Sequence, residues 1–193
     1  MNIAKPIGYL NDGMVAYFRW LKELSLIKKI ELSLLFALFT GIFAQIRIPL
    51  GFTPVPVTGQ VFVVLLSGVL LGGFYGGLSM IFYITLGAIG IPWFAGFRAG
   101  LNPGPTIGYL LGFIPAAIFI GLLAHRHKKL LSQILIMLFG VLLIYFIGAL
   151  NFAFLLKTNF LTTIKLAVLP FIPFDIMKAI LAGILSRVIL PDD

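Results

Sequence analysis

Apolar residues run along this chain in stretches too long and too continuous for the core of a water-soluble domain. No Asp, Glu, Lys or Arg occurs over 48–97, 99–125 or 130–156, and each interval has room for at least one helix of about 20 residues, the length that crosses a bilayer. Breaks inside these intervals divide the chain into six predicted spans. The first covers 30–46 and ends where Arg47, Pro49 and Gly51 open a loop, TPVPVTG, whose prolines forbid helix until Thr58 or Gln60. The second runs from there to residue 71. Gly72 and Gly73 break it, and the third follows from Phe74 or Tyr75 to Ile91, so the two form a tight helical hairpin. After a long loop at 92–104, Pro105 is placed as the first helical residue of a fourth span that reaches Ala124, where HRHKK stops it. The fifth span is 130–156. The sixth lies between Lys165 and Pro191, with Pro170 and Pro173 near its start.

The pattern therefore predicts an all-α integral membrane protein, a six-transmembrane-helix bundle over 30–191 preceded by an N-terminal segment, 1–29. Within 17–31, Trp20, Leu24 and Ile27 recur at helical spacing while Arg19, Lys22 and Glu23 face elsewhere, as in a short interfacial helix. The basic residues at 5, 19, 22, 28 and 29 come with no small-residue cleavage pattern, so this segment does not read as a removable secretion signal.

Composition sharpens the exclusions. With 61% apolar and 10% charged residues and a mean hydropathy of +1.13, the chain is not a soluble enzyme. The formal charge of +8 does not indicate a nucleic-acid partner, because basic residues beside apolar spans carry orientation. An even number of spans puts Lys5, Arg19, Lys22, Lys28, Lys29, Arg126, Lys128, Lys129 and Arg187 on one side, against Arg47, Arg98, Lys157 and Lys165 on the other. Both termini are accordingly expected on the cytoplasmic side of the cell membrane. The loops at 47–59 and 92–104 then share one outward mouth with the start of the sixth span. There is no cysteine, which removes thiolate metal sites and cysteine nucleophiles. His125 and His127 lack an acidic neighbour or third ligand, so no metal or other cofactor is expected. No phosphate-cradling glycine loop with its lysine is present, so the chain is not expected to hydrolyse ATP itself.

The candidate chemistry sits in few residues. Asp175 and Lys178 fall inside the sixth span three positions apart, on one helix face. Each intramembrane charge costs on the order of 2.5 to 3.5 kcal/mol at a helix centre, so the two are either a structural ion pair or a polar ligand site. With Pro173 as first helical residue, Asp175 falls in the first turn, where free N–H groups favour a carboxylate. Arg98 interrupts the apolar loop PWFAGFRAGLNPGPT, and its guanidinium suits bidentate capture of a carboxylate or phosphate. Asn102, Gln60 and Tyr109 can orient a ligand by hydrogen bonds or bridge helices. Trp93, with Phe94 and Phe97, offers an aromatic wall or an interfacial belt. In the first span, Ser33, Ala37 and Gly41 form a small-residue stripe, either an internal packing face or a docking surface for a partner subunit.

The ordered series TPVPVTGQVFVVLLSGVLLGG, GGLSMIFYITLGAIGIPWFAG, GPTIGYLLGFIPA and PFDIMKAILAGIL resembles the BioY family, the biotin-binding substrate-capture subunits of energy-coupling-factor (ECF) transporters. The resemblance covers about 30–187. It implies a biotin-binding S component that captures its ligand at the outer face and docks through its first helix onto an ECF transmembrane coupling subunit driven by two ABC ATPase subunits. It also implies that Asp175 and Lys178 contact the ureido ring of biotin. The family's small-residue docking motif matches Ala37 to Gly41, with glycine where alanine is commoner. The glycine-rich outer loop is shorter than usual, and Arg98 stands where a small polar residue is common. The residues by themselves leave three other readings open: a binding subunit for a different vitamin, a proton-coupled secondary carrier, and a purely structural membrane subunit in which Asp175 and Lys178 only fix helix packing. The carrier requires inverted repeats that the pattern does not display.

Overall fold

The computed structural model describes residues 20–189 apart from 22, 102, 125, 126, 128 and 129, with no side chain described beyond Ser186. The chain is mostly helical: α1 (Leu26–Ala44), α2 (Gln60–Ala88), α3 (Ile107–Ala124), α4 (Leu130–Leu156), α5 (Phe160–Ala167) and α6 (Ile172–Ile189), with a two-stranded antiparallel ribbon of β1 (Arg47–Ile48) and β2 (Val57–Thr58). Each of the six apolar stretches read from the sequence is helical. Among the described residues α2, α3 and α4 are long and apolar enough to cross a membrane, as is the bent pair α5–α6 if counted as one span. With several such helices the protein is a multi-pass membrane protein. The outer face of α4 agrees: Leu131, Leu135, Phe139, Leu142, Phe146 and Leu150 are exposed at helical spacing, an apolar stripe with no water-compatible group.

The hairpin predicted at Gly72 is present inside α2. Gly72 has φ 78° and ψ 173°, a conformation open in practice only to glycine. A Cβ built on Gly76 would fall 2.9 Å from Gly68 Cα, whereas in a straight helix eight residues span about 12 Å. The arms 60–71 and 73–88 therefore double back on each other. The first arm is only about 18 Å long at 1.5 Å per residue, and the loop 49–56 supplies the remaining depth. Val55 in that loop and Val57 at the start of β2 are buried in the main core.

Three expectations need correction. The helix predicted over 17–31 is interrupted: Ser25 is extended and its Oγ accepts from Lys28 N at 3.4 Å, so α1 starts at Leu26. The rest of the N-terminal segment, 1–19 and 22, lies outside the described residues. Pro105 is not the first residue of α3; it sits in a turn two residues earlier, and Ile107 N bonds Gly104 O at 3.2 Å. The small-residue stripe is a packing face. Ser33 and Ala37 are fully buried and Gly41 is buried with them; the Ser33 hydroxyl donates to Tyr75 O at 3.2 Å, and a Cβ on Gly41 would lie 2.9 Å from Trp93 Cβ. Small side chains let α1 approach α2 and the Trp93 loop closely, which leaves Ser33, Ala37 and Gly41 no surface for a partner.

Two elements escaped the sequence reading. The β1–β2 ribbon pairs Arg47 with Thr58 and Ile48 with Val57. The short helix α5 is capped by Asn159, whose side chain accepts from Thr162 N at 2.9 Å, and the axis bends by 51° before α6. Pro170 has no N–H to continue α5. Phe171 N, the helical donor to Ala167 O, turns to Val168 O at 3.1 Å, and the Ala167 carbonyl accepts from the Tyr109 hydroxyl at 2.6 Å, which meets the demand of a helix C-terminus for partners.

Candidate functional site

The break before α6 determines where its first turn lies, and that turn lines a cavity of about 540 Å³, in the range of small-molecule sites. The walls come from the 47–61 loop and ribbon, the 94–107 loop, the first turns of α3, the middle of α4 and the start of α6. Apolar side chains dominate the depth: Val61, Leu110, Phe113, Ile144 and Phe171.

At the inner end Asp175 and Lys178 are 4% and 9% exposed. Lys178 Nζ lies 2.7 Å from Asp175 Oδ1, and the Tyr145 hydroxyl donates to Asp175 Oδ2 at 2.7 Å. Burying a lone charge would be costly, and this triad satisfies both carboxylate oxygens. The ammonium has three N–H donors and uses one on Asp175, while the carboxylate keeps further lone pairs. The triad can thus answer a ligand group that carries both N–H donors and a carbonyl acceptor.

Gln60, 4% exposed, also lines the cavity. Its Oε1 accepts from Thr58 Oγ1 at 2.8 Å and its Nε2 donates to the buried Tyr83 hydroxyl at 2.6 Å. One amide N–H and one lone pair remain for a ligand. Tyr109 lines the cavity with its ring, set edge-on to Phe171 at 6.2 Å between centroids, while its hydroxyl is held by Ala167. Arg98 lies at the exposed mouth. Phe94 and Arg98 close a tight turn through two backbone hydrogen bonds of 3.0 and 3.2 Å, in which Gly96 and Phe97 both have positive φ, 79° and 56°.

Among the described residues, one sequence-predicted site residue, Trp93, is not brought to the cavity. Trp93 is absent from its lining: the indole Nε1 donates to Tyr83 O at 2.9 Å and the ring stands 5.5 Å from that of Tyr83, turned toward α1 and Gly41. The aromatic wall is made by Phe94, Phe113 and Phe171 instead. Asn102 lies outside the described residues. Conversely, Tyr145 and Arg47 belong to the lining and were not singled out from the sequence. Tyr145 sits in the long uncharged run 130–156 with only apolar neighbours to compare, and its value appears only once α4 crosses α6. Arg47 reads as a membrane-flanking charge until the ribbon turns it to the mouth.

The model of the BioY family matches residues 15–191. A Pyrococcus horikoshii protein named as a probable biotin transporter BioY is 42% identical over 83% of this chain and 94% of its own length. The biotin transporter BioY of Rhodobacter capsulatus is 34% identical over 77% of this chain and 90% of its own. A crystal structure of the S-component for biotin from an ECF-type ABC transporter superposes with a TM-score of 0.76 at 31% identity, covering 83% of this chain and 89% of that one.

Proposed function

The chain belongs to the BioY family, and from that premise we propose that it is the biotin-capturing S component of an ECF-type transporter. The observation that carries the reading is the buried Asp175–Lys178–Tyr145 triad at the base of an apolar cavity whose mouth carries Arg98. A ureido ring offers two N–H donors and one carbonyl acceptor. The carboxylate of Asp175 takes the donors, the ammonium of Lys178 donates to the carbonyl, and Gln60 adds its spare N–H or lone pair. The fused sulfur ring rests on Phe113, Phe171 and Ile144. The valerate chain points to the mouth, where the Arg98 guanidinium meets its carboxylate.

In this reading six helical spans, α1, the two arms of α2, α3, α4 and α6, cross the cell membrane with both termini cytoplasmic, since basic residues concentrate at the end away from the cavity. The mouth then opens outward. The chain is not an enzyme and needs no cofactor; ATP hydrolysis belongs to two ATPase subunits working through a transmembrane coupling subunit.

Isothermal calorimetry of the purified, detergent-solubilised protein tests this. Tight one-to-one binding of biotin, weakened for biotin amide, is the expected result. Absence of heat with either ligand, in protein that unfolds cooperatively, would reject biotin as the ligand; protection from heat by a different vitamin would then identify the substrate.

A further inference from the structure

The cavity holds more positive charge than the biotin reading uses. Among the described residues four charged side chains line it, and three are basic: Arg47, Arg98 and Lys178, against Asp175 alone. Lys178 and Asp175 are matched to each other. With Arg98 assigned to the carboxylate, Arg47 is left over, exposed at the mouth and without an acidic partner among the described residues.

Its placement is built by the surrounding backbone. Gln45, just past the end of α1, grips the 93–97 turn: its Nε2 lies 3.1 Å from Trp93 O and 3.3 Å from Phe94 O, and its Oε1 accepts from Phe97 N at 3.0 Å. Two residues on, Arg47 enters β1 opposite Thr58. Its guanidinium lies directly over Gly96, so that a Cβ built there would sit 2.7 Å from Nη1 and 3.0 Å from Cζ. Gly96 is thus required twice, for the positive φ of the turn and for the seat of the arginine. The same turn ends at Arg98, which brings a second guanidinium to the same mouth.

We propose that Arg47, seated on Gly96, is a positioning and specificity residue that shares the ligand carboxylate with Arg98 and selects the free acid over its neutral amide or ester. The inference rests on the biotin reading and extends it to a residue outside the α6 pair and the Arg98 contact. Two planar forks held on one clamped turn present their donors before the ligand arrives, which reduces the ordering cost of binding.

The test compares biotin with biotin amide in the wild type and in Arg47→Met, Arg47→Lys, Gly96→Ala and the Arg47→Met/Gly96→Ala double variant, all in detergent. Arg47→Met is expected to lower the acid-over-amide preference about tenfold, the scale of one charge-assisted hydrogen bond, because the amide keeps only a neutral acceptor and loses less than the acid; an unaltered thermal midpoint is the check on folding. Arg47→Lys restores part of the preference. Gly96→Ala lowers it as Arg47→Met does, and the double variant matches Arg47→Met alone. An unaltered preference in Arg47→Met, beside tight biotin binding by the wild type, overturns the inference and leaves the biotin reading standing. Equal loss of both ligands also overturns it, since the residue is then structural. A further loss in the double variant overturns the seat, because Gly96 then acts through the turn and Arg98. Wild-type protein that binds neither ligand overturns the biotin reading and this inference together.

Discussion

The Tyr145 hydroxyl reaches from α4 to Oδ2 of Asp175 on α6 at 2.7 Å, so the carboxylate is held from two helices at once. Lys178 approaches the other oxygen from within α6. Because one partner comes from a different helix, the orientation of Asp175 depends on how α4 and α6 pack. A ligand that engages the carboxylate therefore reads the packing of the bundle as well as the sequence of one helix.

Tyr145→Phe removes that hydrogen bond with little change of volume. A buried carboxylate oxygen loses its partner, at a cost of about 1–3 kcal/mol when nothing replaces it. Biotin affinity is expected to fall about tenfold, with the thermal midpoint lowered by a few degrees. Calorimetry beside thermal unfolding checks this; unaltered affinity would remove Tyr145 from the site.

Asp175→Asn and Lys178→Met each leave the other member of a buried pair without its counter-charge. Breaking such a pair from one side costs about 3–5 kcal/mol, more than replacing both members together. Both single variants are expected to lose biotin binding and stability. The double variant should regain much of the stability and none of the binding. Full binding by the double variant would show that the pair only packs helices.

Gly72→Ala tests the hairpin. An L-residue at φ 78°, ψ 173° is strained by about 1–3 kcal/mol, and the site is far from the cavity. The thermal midpoint should fall while biotin affinity stays within twofold. A variant as stable as the wild type would mean that the arms do not need this turn.

Ala37→Trp tests the buried stripe. Ala37 has no exposed surface, and overpacking a filled core costs typically about 1–3 kcal/mol and more for a large ring. The expected result is loss of stability and of biotin binding together, in the isolated subunit. A stable, biotin-binding Ala37→Trp protein would show that α1 leaves room there.

Much of this protein is written in the order of its residues. Lipid imposes a simple rule, that backbone polar groups be satisfied within helices, so uncharged runs, glycine breaks and prolines located the helical segments and the Gly72 hairpin directly. The cost of an intramembrane charge likewise drew attention to Asp175 and Lys178 before any contact was known. The tertiary structure decided what depends on relations between distant residues. It turned Trp93 away from the cavity onto Gly41, brought Tyr145 to Asp175, folded Arg47 over Gly96, and buried Ser33, Ala37 and Gly41, a stripe whose covering neighbour the residue pattern alone does not name. Side-chain identity and spacing determine which face of a helix a residue occupies, whereas which neighbour covers that face is settled only by packing, through close approaches of helices and hydrogen bonds across many residues of sequence.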